Sequence, residues 1–510
     1  MTNPQSPAPS PQPLALEPTL TELSRPGRTA VTIPEPTTTP TLPRELIRDT
    51  LNLPQLSQLD VVRHYTRLSQ LNYSIDTQMY PLGSCTMKLN PKINDAITAM
   101  PGFADAHPMQ TDDQAQGVLR VMHGLQRMLA EITGMDDASL APLAGAQGEL
   151  AGVLVIKAYL ETVGEHRTTI VVPDSAHGTN PATASMAGFN VVAVKPRPDG
   201  DMDLDHLREA LEEHGPTVAA LMITQPSTLG LFDRNIVQVA DMVHGHGALM
   251  YGDGANLNAM LGQVKPGDLG FDVMHINLHK TFSQPHGGGG PGAGPIVVKR
   301  HLLPFLPSPH VAADPNPTSN LQPPASPSRN DGPPPAAYRL YDPEHTIGRL
   351  GAFHGNFGVL LRAYAYILSL GSDGLRSMSE AAVLNANYIR ARLAPAYDLA
   401  HDERTCMHEA LFSARRQKAH GVKALDVAKR LIDFGFHPPT MYFPLVVEEA
   451  LLIEPTESES KETIDAFCDA MLAIAREAET DPEIVRTAPH TAPLRRLDEA
   501  TAARKPKLRW

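Results

Sequence analysis

The sequence predicts an α/β protein: a mostly parallel central sheet covered by helices, followed by a smaller C-terminal α+β domain. Three observations lead there. Continuous apolar, β-rich runs at 169–172, 191–194, 218–223, 248–251, 273–276 and 295–298 alternate with helical segments, and uninterrupted apolar strands belong to sheets buried on both faces. Helical periodicity is clear in Val118, Val121, Met122, Leu125, Met128, Leu129 and Ile132, a helix stopped by Gly134. Polar clusters fall at the carboxyl ends of four strands, where parallel sheets hold their ligands.

Further helices follow Asp203, a plausible N-cap, and cover 236–243. At 510 residues the chain exceeds one average domain. Its 42% hydrophobic and 19% charged residues are those of a soluble globular protein. A formal net charge of −13 argues against nucleic acid or an anionic membrane as partner. No apolar run approaches the roughly 20 residues of a spanning helix, and no secretory signal is recognisable. Cys85, Cys406 and Cys468 form neither a disulfide framework nor a zinc spacing, and His244-Gly-His246 lacks a third metal ligand nearby. A cytoplasmic location is expected.

Residues 1–43, rich in Pro, Thr and Ser, are expected as a disordered or extended arm, with 23–34 a candidate for docking on a neighbour. Residues 44–110 are expected to dock on a partner and to form the mouth of a site. Within them, 76–88 (Asp-Thr-Gln-Met-Tyr-Pro-Leu-Gly-Ser-Cys-Thr-Met-Lys) reads as an ordered loop, either a pocket wall or a surface connection. A large α/β domain covers 111–303, a Pro-rich linker or loop 304–338, and the smaller α+β domain 339–510. In that last domain helices are expected at 357–370 and 382–393, 426–434 and 461–477, with 441–452 strand-like.

Chemistry concentrates in 277–294, where Asn-Leu-His-Lys is followed within a few residues by a run of glycines. Glycines permit positive φ and close backbone approach, so this stretch presents Lys280 to a bound group. The alternative is a flexible loop beside a solvated lysine; a P-loop fits worse, since no Gly-Lys-Ser/Thr opens a helix. Three other clusters sit at strand ends: 173–180 with His177, 224–228 with Thr228, and 252–256 with Asp253. A Gly/Ala-rich turn at 141–150 opens a helix, and its unpaired N–H groups suit a phosphate. Taken singly, His177 is an ordinary loop histidine and Asp253 an Asx-turn residue. Together the clusters supply an amine for an aldehyde, a carboxylate for a pyridinium proton, an imidazole to stack on a ring and a helix end for phosphate. That is the inventory pyridoxal 5'-phosphate requires.

The runs Pro-Asp-Ser-Ala-His-Gly-Thr-Asn-Pro-Ala (173–182), Gly-Asp-Gly-Ala-Asn-Leu-Asn-Ala (252–259) and Asn-Leu-His-Lys-Thr-Phe onward (277–294) resemble the glycine decarboxylase P-protein family. So do Gly-Ala-Gln-Gly-Glu (145–149), Tyr-Pro-Leu-Gly-Ser-Cys-Thr-Met-Lys (80–88) and Glu-Pro-Thr-Glu-Ser-Glu (454–459). The resemblance covers nearly everything from residue 23 onward. It implies fold type I of the pyridoxal-phosphate enzymes and the lysine-bearing half of a two-subunit form, paired with subunit 1 in an α2β2 assembly. It implies decarboxylation of glycine, with transfer of the aminomethyl group to the lipoyl arm of the H protein. Carried over residue by residue, it places the Schiff base on Lys280, the pyridine-nitrogen contact on Asp253 and ring stacking on His177. Gly145, Ala146, Gln147 and His279 fall to the phosphate, Thr228 near the cofactor, and Ser84 and Lys88 near the mouth. Gln78, where the family commonly has glycine, and longer Pro-rich segments are the departures. Two other readings stay open: a fold type I decarboxylase or aldolase working without a lipoyl acceptor, and a non-catalytic scaffold. The presence of Lys280, Asp253 and His177 weighs against the second.

Overall fold

The computed structural model describes residues 16–34, 37, 42–286, 292–314 and 337–508. Strands β1 (Asp137–Ser139), β2 (Thr169–Pro173), β3 (Asn190–Val194), β4 (Val218–Thr224), β5 (Leu249–Gly254), β6 (Val273–Ile276) and β7 (Ile296–Val298) form one sheet in the order β1-β7-β6-β5-β4-β2-β3. Every neighbouring pair from β3 to β6 is parallel, while β7 runs against β6 and β1. Side chains alternate between the two faces. Val171, Leu221, Met250 and Met274 share one core with residues of the helices Gln116–Thr133, Leu204–His214 and Ile236–Gly245. Ile170, Ala220, Tyr251 and Val273 pack against the helix Gly145–Thr162. Both faces are therefore core, which is why these strands read as unbroken apolar runs.

The helix signals act locally as expected. Asp203 caps the helix Leu204–His214 by accepting the N–H groups of Asp205 (3.0 Å) and His206 (3.1 Å). Gly134 closes its helix in the left-handed region at φ 68°. The expected helices at 357–370 and 382–393 join into one, Phe357–Leu393, broken only at Gly371 (φ 62°).

Four expectations change. Residues 304–338 are expected as a Pro-rich linker or loop; the described ends of that segment contribute β8 (His310–Asp314) and the start of β9 (Ala337–Tyr341), an antiparallel pair, while 315–336 lie outside the described residues. Composition hid them because Pro and Ser flank short strands. The smaller sheet, in the order β10-β11-β13-β12, contains β10 (Asp398–Leu399), β11 (Ala410–Ser413), β12 (Thr440–Met441) and β13 (Ala450–Ile453). The strand-like 441–452 run is thus two strands with a turn between them, since Pro444 cannot donate to a ladder. Within the 44–110 segment, for which no helix was expected, residues 58–70 form the helix Gln58–Gln70, started by a capping box between Ser57 and Asp60. The arm, outside the described residues at 1–15, 35–36 and 38–41, packs on that helix within its own chain: Glu17 pairs with Arg67 (2.6 Å) and His64 (3.1 Å), and Arg28 with Asp60 (2.8 Å).

The helix Gly145–Thr162 approaches the sheet to backbone contact. A Cβ on Gly148 would lie 2.3 Å from the Gly294 carbonyl oxygen, and one on Gly294 would lie 2.1 Å from that of Ala144. Gly148→Ala is therefore expected to cost about 1–3 kcal/mol, the usual range for overpacking a rigid core, read as a lower Tm. An unchanged Tm would show that the helix is free to move away.

Candidate active site

Four strands deliver their carboxyl ends to one cavity of about 220 Å³. Its walls include Ser84, Gly145, Ala146, Glu149, His177, Thr179, Thr228, Asp253, His275, Asn277, His279 and Lys280. β6 ends at Ile276, and the chain turns into the single helical turn Leu278–Thr281, which carries Lys280. Among the described residues the Lys280 amine makes no hydrogen bond or ion pair.

Asp253, at the end of β5, is buried. Its Oδ2 accepts from Asn180 Nδ2 (3.0 Å) and Thr224 Oγ1 (3.4 Å), and its Oδ1 accepts the Ala255 N–H (3.0 Å). His275 Nε2 stands 3.3 Å from Oδ1, while its Nδ1 meets the Tyr251 hydroxyl at 3.0 Å. Burial alone would push the Asp253 carboxyl up, but His275, Asn180, the Ala255 N–H and the Lys280 charge together hold it below the usual carboxylate range.

His177 follows β2 on an exposed loop, its ring edge-on to Phe443 of the smaller domain (5.6 Å). The helix Gly145–Thr162 begins at Ala144 without a side-chain cap, so its first N–H groups face the cavity. A Cβ on Gly145 would sit 2.2 Å from Asn277 Oδ1, so only glycine lets that helix end meet the β6 loop. Asn277 Oδ1 and His279 Nδ1 are buried there with no hydrogen-bond partner among the described residues. An uncapped helix end beside orphaned polar atoms suits a phosphate.

The structure brings Lys280, Asp253, His177, Gly145, Ala146, His279, Thr228 and Ser84 together and turns two expected residues away. The Gln147 side chain does not face the cavity: its Oε1 accepts the Leu143 N–H (2.7 Å) and its Nε2 donates to the Leu350 carbonyl (2.8 Å). Lys88 is not at the mouth but buried behind Lys280, donating to Glu457 (2.8 Å) and to the Thr281 carbonyl (3.0 Å). Burial would discharge that amine, and Glu457 and Tyr366 hold it charged. The Thr228 hydroxyl donates to the Ser175 carbonyl (2.6 Å), leaving it a wall residue.

Glu149, Asn180, His275, Glu409 and Glu454 were missed. Two of them carry a signal in the sequence: Glu149 stands among the small and apolar residues near the start of its helix, and His275 lies inside the apolar β6 run. Glu409 Oε2 accepts the Ser84 N–H (2.7 Å) and Glu454 Oε2 the Thr86 N–H (3.0 Å). Together they clamp the 84–86 turn against the cavity.

Three solved structures share this fold. An inhibitor-bound glycine decarboxylase (P-protein) of the glycine cleavage system aligns with TM-score 0.68 at 22% identity, covering 84% of this chain and 93% of that one. A Burkholderia pseudomallei sphingosine-1-phosphate lyase aligns with TM-score 0.59 at 14% identity, covering 89% and 94%. A cysteine desulfurase from Thermococcus onnurineus aligns with TM-score 0.56 at 14% identity, covering 79% and 95%.

Family models for the glycine cleavage system P-protein and for the glycine dehydrogenase C-terminal domain match residues 37–312 and 378–494. A probable glycine dehydrogenase (decarboxylating) subunit 2 from Halalkalibacterium halodurans is 54% identical, covering 96% of this chain and 97% of its own length. One from Caldanaerobacter subterraneus subsp. tengcongensis is 52% identical over 96% and 98%. The chain belongs to the glycine cleavage system P-protein family.

Burial pushes the Glu454 carboxyl up to about 7, and burial with the Glu454 charge pushes Glu409 well above the usual range. A carboxyl raised in the folded state binds its proton more tightly there, so its contribution is full below about pH 4.5 and lost as pH rises through about 7. Glu454→Gln should therefore flatten the fall in Tm across that window; parallel wild-type and variant curves would contradict the assignment.

Proposed function

We propose that the chain holds pyridoxal 5'-phosphate, removes carbon dioxide from glycine and passes the remaining aminomethyl group to the lipoyl arm of the H protein. The observation that carries this reading is the convergence of Lys280, Asp253, His177 and an uncapped helix end on one cavity. Pyridoxal phosphate, when bound, supplies an aldehyde for the lysine and an aromatic sink for the electron pair left by carbon dioxide.

The chain's own residues do the rest. The N–H groups of Gly145 and Ala146, with His279, hold the phosphate. Asp253, kept ionised by its neighbours, would hold a proton on the cofactor's ring nitrogen. His177 stacks on the ring face. Lys280 would supply the amine that meets the cofactor's aldehyde. The cavity walls would position the substrate carboxylate, so orientation rather than acidity would govern its loss. The 84–86 turn, held by Glu409 and Glu454, keeps bulk water off the carbon that must reach the lipoyl sulfur.

The same reading pairs the chain with subunit 1 in an α2β2 assembly. Leu46, Leu51, Leu53, Tyr65, Met100 and Met109 are exposed apolar side chains in the 44–110 segment, and they support its docking on that partner. No helix among the described residues is long and apolar enough to cross a membrane.

Lys280→Ala should lower glycine-dependent exchange of carbon dioxide by roughly three orders of magnitude or more, the scale on which loss of a covalent catalytic group is felt, with Tm unchanged. Exchange retained at the wild-type rate, measured with subunit 1 and H protein present, would overturn the reading.

A further inference from the structure

Glu149 is a buried carboxyl with no cation within ion-pair distance among the described residues. Burying such a group without an ion pair is costly unless neutral donors satisfy it. Three do. Oε1 accepts from the Thr179 hydroxyl (2.8 Å), and Oε2 from Asn180 Nδ2 (3.2 Å) and the Thr183 hydroxyl (3.3 Å). Two of these donors lead on to other residues of the cavity. The Thr179 hydroxyl oxygen lies 2.7 Å from His177 Nδ1, and Asn180 Nδ2 also donates to Asp253 Oδ2 at 3.0 Å.

A hydroxyl has one proton. With that proton given to Glu149, the Thr179 oxygen can only accept from His177, so Nδ1 carries the hydrogen and Nε2 is left with a lone pair. The Thr179 backbone N–H, 3.2 Å from Nδ1, favours the opposite tautomer. The hydroxyl contact is the shorter and is backed by a carboxylate, so it decides.

Resting on the function proposed above, we propose that Glu149 is a positioning residue that sets the two groups flanking the cofactor ring. Through Thr179 it fixes His177 as the Nδ1–H tautomer, with Nε2 free to take a proton from the incoming ammonium of the substrate; through Asn180 it orients the Asp253 carboxylate. The logic is that of a carboxylate orienting a functional histidine, with a threonine hydroxyl interposed.

The test removes the hydroxyl and keeps the backbone N–H. The full chain, labelled with nitrogen-15 in its histidine rings, is studied by NMR before and after loading with pyridoxal phosphate; His177→Gln identifies the signal by its loss. Wild type and Thr179→Ser should show His177 protonated at Nδ1. Thr179→Val should invert it to Nε2–H, because the backbone N–H then becomes the sole donor to Nδ1, and Glu149→Gln should do the same by donating to the threonine. Exchange activity should fall roughly 10- to 100-fold in Thr179→Val, the range for removing a partner that orients a functional histidine, and return in Thr179→Ser. A wild-type ring protonated at Nε2, or a tautomer unmoved in Thr179→Val, would overturn the proposal while leaving cofactor binding intact. A chain that fails to take up pyridoxal phosphate, with the tautomers as expected, would instead sink the function and leave the relay standing.

Discussion

The close approach of the helix Gly145–Thr162 to the β6 and β7 strands is the constraint on which the site depends. Side chains at positions 145, 148 or 294 would force the helix end away from Asn277, from the Gly294 carbonyl and from the Ala144 carbonyl. With glycine at all three, the first N–H groups of the helix lie beside the turn that carries Lys280. The helix end and the Lys280 amine therefore line the same cavity. Asp253 and His177 join them because β5 and β2 end at the same edge of the parallel sheet.

Electrostatics complete what packing begins. Burial takes His279 down to about 3, His286 to about 4 and His408 to about 3, so all three imidazoles around Lys280 are uncharged at neutral pH. Asp253 stays ionised. The cavity thus offers an ionised carboxylate close to the lysine. Its outer wall is held under strain: Ser84 and Thr86 adopt φ of 60° and 52°, uncommon for residues with side chains. Glu409 and Glu454 grip their N–H groups, and Gly83 lets the same loop press against Leu452 of β13. The smaller domain is therefore part of the active-site wall.

Much of this was legible before any coordinates. The central strands announced themselves because burial on both faces demands continuous apolar residues, and Lys280, Asp253 and His177 because they punctuate strand ends. What escaped notice had physical reasons. Three-residue β1 is too short for a pattern, and β8 and β9 sit among prolines and serines. The helix Gln58–Gln70 leaves Leu59, Val62 and Tyr65 exposed, which weakens its amphipathic signal. Gln147 was misplaced because a sequence motif carries no side-chain direction: it stands two residues past the helix start, yet points back to Leu143 and out to Leu350. Lys88 was misplaced because a lysine in a polar loop reads as solvated, whereas the fold sinks it against Glu457. Glu149 and His275 act through other residues, and such roles emerge only when distances are known.

The most direct measurement of the central claim is chemical. The chain loaded with pyridoxal phosphate is reduced with borohydride, digested and mapped by mass spectrometry. A reduced pyridoxyl group on the peptide containing Lys280, and on no other lysine, is the expected result. The same label on another lysine, or none at all after demonstrated uptake of the cofactor, would contradict it.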